Sequence, residues 1–402
     1  MRTLVAVLLL FGACRGDHQN AGRKPASAVS APTSKVPKVP FTGDGVAELH
    51  GLDQRVAIHA KQPTVELGLL LERASYSVRL EDFQGALAIA DAQVKADPDS
   101  LSAWKAEERA LAAVHRFADA REALGHIKAL AHDPSEWTDL EATLDEATGH
   151  LDRSGPVRET AATQVPSALT LTQWAASLAV QGQTEKAIEV IPKAAAAIHD
   201  NPPGFIAWLL FQWGRVYELA GELATARDFF AEAHRRLPGY LEATAHLAQA
   251  MMQTGDTAGA KKLVEGALAQ AGERHPELLG LAVQLGHPEL LDEAKREWER
   301  YVAGLPEAFS DHAARFYLTV DPARALVLAQ ANLANRDTTE ARALVGEAAL
   351  AAGNPAVACE AVGPLATAQA PRAQRFIAWR AFSKCGRADD ADRLARDLGI
   401  SR

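Results

Sequence analysis

The sequence predicts an all-α fold, a solenoid built from helical hairpins. Three observations carry that expectation. Ala and Leu dominate, aromatic residues make up only 6% of the chain, and no alternating apolar–polar run persists as a strand would require. A spacing of small and large residues repeats every 34 positions, most clearly in two consecutive units at 207–274. In the first unit Gly214, Tyr217, Gly221, Ala226, Phe230, Ala233 and Pro238 fall at positions 8, 11, 15, 20, 24, 27 and 32. In the second, Ala248, Met251, Gly255, Ala260, Val264, Ala267 and Gly272 repeat that pattern. Small residues at 8 and 20 let paired helices approach, and large ones fill the seams. Gly221 ends the first helix and Pro238 the second.

This spacing resembles the tetratricopeptide (TPR) repeat, a helix–turn–helix that stacks into a right-handed superhelix. The strings PGYLEATAHLAQA (238–250) and EAFSDHAARFYL (307–318) resemble a larger group of bacterial TPR proteins. The resemblance covers most of residues 45–402 and implies the fold, with no activity attached.

Taken in order, the chain opens with MRTLVAVLLLFGAC, where Arg2 precedes an apolar run, Leu4 to Phe11, too short to span a bilayer. Gly12 and Ala13 lead into Cys14, and the segment resembles a bacterial lipoprotein signal at 1–13, with Phe11 departing from the usual Leu. An ordinary secretory signal is the other reading. The resemblance implies a covalent lipid on Cys14. With Arg15 rather than Asp behind that Cys, it implies an outer-membrane address, on the periplasmic side or the cell surface. Residues 14–43 read as a disordered tether: from 15 to about 40 there are four prolines and no Leu, Ile, Phe or Trp. Its cations could brush anionic head groups or simply be solvated.

Helices are expected from Asp44, with Val46, Leu49, Leu52 and Val56 on one face. Residues 44–150 then form N-terminal TPR-like helices, carrying the register at 67–100 and 101–134. Residues 151–167 read as an irregular hinge, because Ser154-Gly155-Pro156 and Pro166 interrupt the pattern. The main solenoid is expected at 168–402, with an insertion at Pro202 to Ile206 and units at 275–308, 306–338, 339–371 and 372–402. That amounts to about nine hairpins.

The net charge is −9; residues 1–40 carry six Lys/Arg against Asp17, so residues 41–402 carry −14. An acidic body argues against nucleic acid. Walker, GxSxG, HExxH and dinucleotide motifs are absent. HPELL occurs at 275–279 and 287–291, where Pro and Glu in a first turn mark helix starts. Its two His bracket a helix ~18 Å long, too far apart to share an ion, and no metal or cofactor is expected. Asp311-His312 reads as structural, since adjacent helical side chains diverge. Cys359 and Cys385 fall at one edge of the solenoid, as a disulfide or as two buried thiols.

Binding is what the resemblance implies, with a protein or peptide on the concave face formed by positions 2, 5, 9, 12 and 13 of each first helix. The candidates are Trp208, Phe211, Arg215 and Glu218, then Glu242 and Gln249, with Lys105 and Arg109 in an earlier unit. Trp208 and Phe211 read either as anchors for a ligand or as packing on the 202–205 insertion. The expectation is a non-catalytic, lipid-anchored envelope scaffold. A regulatory subunit of an envelope enzyme or secretion machine, and an unrecognised hydrolase, are the alternatives. Replacing Cys14→Ser should abolish acyl labelling and release the protein from membranes; an unchanged membrane fraction would refute the anchor.

Overall fold

A computed structural model describes residues 35–39, 43–199, 201–270 and 275–400. The 1–13 signal, Cys14 and most of the tether lie outside the described residues. No strand occurs among them. Helix α1 (Gly45–His59) starts at Asp44, whose carboxylate accepts the Val46 and Ala47 N–H groups. The described residues then form ten hairpins, one more than the spacing suggested. They are α2 (Pro63–Ser77) with α3 (Leu80–Ala96), α4 (Leu101–Ala113) with α5 (Phe117–Leu130), and α6 (Thr138–Ala147) with α7 (Leu151–Gln164). Next come α8 (Ala168–Val180) with α9 (Thr184–Ala196), α10 (Pro203–Leu219) with α11 (Leu223–Arg236), and α12 (Leu241–Gln253) with α13 (Thr257–Gln270). The last four are α14 (Pro276–Gln284) with α15 (Leu291–Gly304), α16 (Pro306–Val320) with α17 (Pro322–Asn335), α18 (Thr339–Ala351) with α19 (Pro355–Val362), and α20 (Arg372–Cys385) with α21 (Ala388–Leu398).

The hairpins stack in two layers. First helices touch first helices along the array, as α8 touches α10, α14 touches α16 and α18 touches α20, so they line the inside. Second helices form the outer layer. Position 8 shows why the spacing matters. A Cβ on Gly214 would lie 2.5 Å from Phe230, and one on Gly346 would lie 2.4 Å from Val362. Glycine at that place is what lets the two helices of a hairpin close on each other.

The coil then rests on itself. Helix α2 meets α12, and α10 meets α20, five hairpins further on in each instance. One apolar core joins Val78, Leu80 and Phe83 of the first hairpin to Trp298, Tyr301 and Phe309 far along the chain. Arg300 pairs with Glu81 at 2.6 Å, and Asn335 donates to the His115 carbonyl at 2.9 Å. At two crossings the backbones themselves touch. Gly149 (φ 84°) and Gly182 (φ 74°) face the carbonyls of Asp337 and Gln369, where a Cβ would stand 2.2 and 2.5 Å away. Only glycine satisfies both the left-handed turn and the approach.

Helix α10 occupies the middle of this wrapping, and every residue from Ile206 to Leu219 is buried. Its mostly apolar surface, with Arg215 and Glu218 paired internally, demands cover on every side. Trp213 is fully enclosed and its Nε1 donates to Thr172 Oγ1 at 3.0 Å; burying such a side chain contributes about 1.5–3 kcal/mol.

Three expectations need correction. The 151–167 segment is no hinge, because α7 runs through Pro156. Arg158, buried on that helix, bonds Glu146 at 3.0 Å, Thr143 at 2.8 Å and also Asp139, and this network outweighs one missing N–H bond. The insertion at 202–206 is the first turn of α10, with Pro203 at its first position. The end of the tether is docked: Val39 is buried, its carbonyl accepts from Arg236 at 2.8 Å, and Lys35 pairs with Glu222 at 2.6 Å. Of the two readings for the cysteines, the structure holds the bonded one, with Cys359 and Cys385 Cα atoms 6.4 Å apart.

Gly214→Val should destabilise the fold by about 1–3 kcal/mol, read as a lower urea midpoint. An unchanged midpoint would mean that α10 and α11 do not approach this closely.

Candidate functional site

The inner face is polar, and much of it is sealed. Arg215 of α10 binds Glu218 one turn on and reaches Glu340 of α18 at 2.9 Å, all three being buried. His246 of α12 stands 3.4 Å from Glu218. Beyond it, His312 of α16 lies 3.5 Å from Glu277 of α14, and its neighbour Asp311 takes Arg336 at 2.6 Å. Contrary to the simple divergence of adjacent side chains, Asp311 and His312 serve the same network, 3.9 Å apart. Glu242, Gln249, His275 and Arg315 complete the lining of a small cavity of about 30 Å³, on the scale of a water molecule.

Burial sets the charge states until a partner outweighs it. Burial pushes the Glu218 carboxyl up, but Arg215 and His246 hold it down at about 2. Asp311 follows the same logic and sits at about 2, through His312 and Arg336. Glu242 lacks such a cation at close range, and burial lifts it to about 7. Burial, helped by the charges of His312 and Arg300 and opposed by Glu277, lowers His275 to about 3. It also lowers His312, yet Asp311, Glu277 and Glu242 overcome that and raise the imidazole to about 9. The cluster is a set of internal ion pairs between inner helices.

The expected binding residues are therefore redistributed. Trp208 is buried and stacks on Phe205, ring centroids 6.0 Å apart. Phe211 is buried against Phe230, Tyr240 and His246, at 5.7, 5.3 and 5.1 Å. Neither is presented to a ligand, because the wrapping of α10 covers both. Arg215, Glu218 and Glu242 are inside as described, and Gln249 lines the small cavity. Lys105 pairs with Glu136. Arg109 sits beside the buried Glu108, and desolvation lowers the guanidinium while Glu108 opposes it. His275 caps α14, its Nδ1 accepting the Glu277 N–H at 3.1 Å, as its helix-start motif implied. His287 pairs with Glu265 and Glu289 at 2.8 and 2.9 Å. No group of three or more His, Cys, Asp or Glu among the described residues is arranged to hold a metal.

The inner face also holds a larger space. A cleft of about 280 Å³ lies where the C-terminal hairpin crosses the middle of the array. Arg215, Glu218 and Leu219 of α10, Leu223 of α11 and Gln253 of α12 form one wall. Arg372, Ala373 and Phe376 of α20, with Leu398 to Ile400 at the end of α21, form the other. Arg372 spans the rim and donates to the Leu398 carbonyl. The sequence held a signal for this wall. Ala373, Phe376, Arg380 and Lys384 occupy positions 2, 5, 9 and 13 of the last unit, and the stretch 361–388 holds five Lys/Arg and no Asp/Glu.

A tetratricopeptide-repeat family model matches residues 219–285, from the end of α10 through α14. No curated protein matches the chain. Among solved structures, it is similar to the Cut9–Hcn1 hetero-tetramer of the APC/C at 13% identity and TM-score 0.47, over 85% of this chain and 66% of that one. It is also similar to a human IFIT1 dimer with PPP-AAAA at 16% identity and TM-score 0.45, over 78% and 76%. A tetratricopeptide repeat protein from Parabacteroides merdae gives 15% and 0.35, over 65% and 96%. The chain thus spans just under two thirds of the Cut9–Hcn1 chain it matches.

The charge states give a sign for pH. His312 rises on folding from its ordinary 6.5 to about 9, so its stabilisation is full below pH 6.5 and is lost as pH climbs through 9. His312→Gln should melt below the parent near pH 6, with the gap closing by about pH 9.5. A gap independent of pH would refute a charged His312.

Proposed function

We propose that this all-α, TPR-type helical-hairpin solenoid is a non-catalytic scaffold that holds a protein or peptide partner in the cleft between α10–α12 and α20–α21. TPR-type arrays are typical protein-interaction scaffolds, which gives the general class. The cleft carries the particular reading. The internally paired Arg215 and Glu218 lie at its edge, and beside them Leu219, Leu223, Phe376 and Arg372 border a space of about 280 Å³. The lining offers shape, apolar surface and hydrogen-bonding groups. It does not offer a nucleophile beside a base, which acyl or phosphoryl chemistry would need.

The address belongs to the same proposal. The MRTLVAVLLLFGAC start supports lipid anchoring through Cys14 in the outer membrane of a bacterial envelope, periplasmic or surface-facing. The Cys359–Cys385 bond supports an oxidising compartment. No helix among the described residues is long and apolar enough to cross a membrane, so in this reading membrane attachment rests on the lipid.

A photo-cross-linking side chain placed at Gln253 or Phe376 should trap one discrete partner in intact cells. The same group at exposed Lys193, on the outer helix α9, should trap none. Equal or absent adducts from all three positions would refute the cleft as the binding site.

A further inference from the structure

We propose that the inner stripe of α20, together with the cleft at its N-terminal end, docks an acidic peptide segment that inserts a single apolar side chain. This rests on the reading of the cleft as the partner site and adds the chemistry of the partner.

The charge pattern points to the acids. In a chain of net charge −9, the 361–388 stretch carries five cations and no carboxylate. Arg372, Phe376, Arg380 and Lys384 follow at four-residue intervals, so they share one slowly winding stripe about 18 Å long. The opposite face of α20, with Gln374, Ile377, Ala378, Ala381 and Phe382, is the buried one. Among the described residues no carboxylate stands within ion-pair distance of Arg372, Arg380 or Lys384, and Arg372 bonds only a backbone carbonyl. Arg387 is the exception, neutralised by Asp390. Cations elsewhere on the surface are commonly paired, as Arg300 is with Glu81 and Arg324 with Glu299. The stripe is thus a local excess of positive charge beside the cleft.

The cleft supplies the anchor. Leu219, Leu223, Phe376, Leu398 and Ile400 give it apolar walls. Its 280 Å³ falls just below the range of about 300–1,000 Å³ that drug-sized ligands occupy. One bulky side chain fits within that space. An extended segment seating such a side chain beside Phe376 would run its neighbours past Arg380 and Lys384, where carboxylates would complete the charge. A flat anionic bilayer meets the cations equally well but leaves the cleft unfilled, which is why a peptide is the better occupant.

The test uses the full chain and a fluorescein-labelled dodecapeptide of Glu and Ser with one central Phe. Saturable binding is expected, weakened about tenfold when every Glu is replaced by Lys and again when the Phe is replaced by Gly. The double variant Arg380→Glu, Lys384→Glu should also bind about tenfold more weakly, while Lys193→Glu binds as the parent does. Phe376→Ala and the milder Arg380→Gln, each checked by circular dichroism, provide folded variants should the double reversal misfold. Equal binding of the Glu and Lys peptides, or binding unaffected by Arg380 and Phe376, would overturn the proposal. So would capture by phosphatidylglycerol vesicles that depends on Arg380 and Lys384 without any peptide binding. Failure of the peptide with a discrete adduct from Gln253 would discard the acidic partner and keep the scaffold. Failure of both would discard the cleft.

Discussion

The buried contact of Arg215 with Glu218 and Glu340 is the constraint on which the closed shape depends. It joins α10 to α18 across 125 residues of chain. Each of these ions has left water at a cost of several kcal/mol, and their mutual attraction returns it only when all three are in place. Glu218 is satisfied by the guanidinium and by His246, while Glu340, with burial raising its carboxyl, leans on Arg215 from the other turn. Removing one partner would strand the others, a loss of about 3–5 kcal/mol by the usual measure of broken buried pairs. The triad therefore disfavours any arrangement in which the two turns of the coil separate. Elsewhere between the turns, the apolar contact of Phe83 with Phe309 adds stability without demanding a single register.

How much of this was legible in the residues follows from range. Gly214 against Phe230 and Gly346 against Val362 are contacts within a hairpin, sixteen residues apart in sequence, and the 34-residue spacing reports them directly. The capping residues Asp44 and His275 were readable for the same reason. Contacts between turns leave no such period. Gly149 and Gly182 look like ordinary hairpin glycines, and nothing near them announces the carbonyls of Asp337 and Gln369. The covering of Trp208 and Phe211 is local instead, and the packing reading of the sequence allowed for it: Trp208 meets Phe205 of its own helix, and Phe211 meets Phe230, Tyr240 and His246 of the elements that follow. Pro156 misled in the opposite direction: local propensity argued for a break, and the Arg158 network overrode it.

The site divides along the same line. Where the inner face is closed, polar residues such as Glu277, His312 and Asp311 serve one another. Where it widens, at the α20–α21 hairpin, Arg372 and Lys384 are exposed and Phe376 and Arg380 half-buried along one stripe. Phe376 and Arg380 fall at inner positions of the last unit, yet they were not among the expected binding residues. Their importance came from the cleft beside them and from a run of cations without a carboxylate, two properties that no single residue displays.

The resting of one turn of the coil on the other also changes how the chain must fold. An extended repeat array touches only its neighbours, so it can nucleate anywhere and lose its ends first. Here the His115 carbonyl waits for Asn335, 220 residues later, and Glu81 for Arg300, 219 later. Closing such loops costs entropy before any contact repays it. The molecule thus trades the independent melting of its repeats for the cooperativity of a globule. Its early hairpins complete their burial only when the late ones have been made.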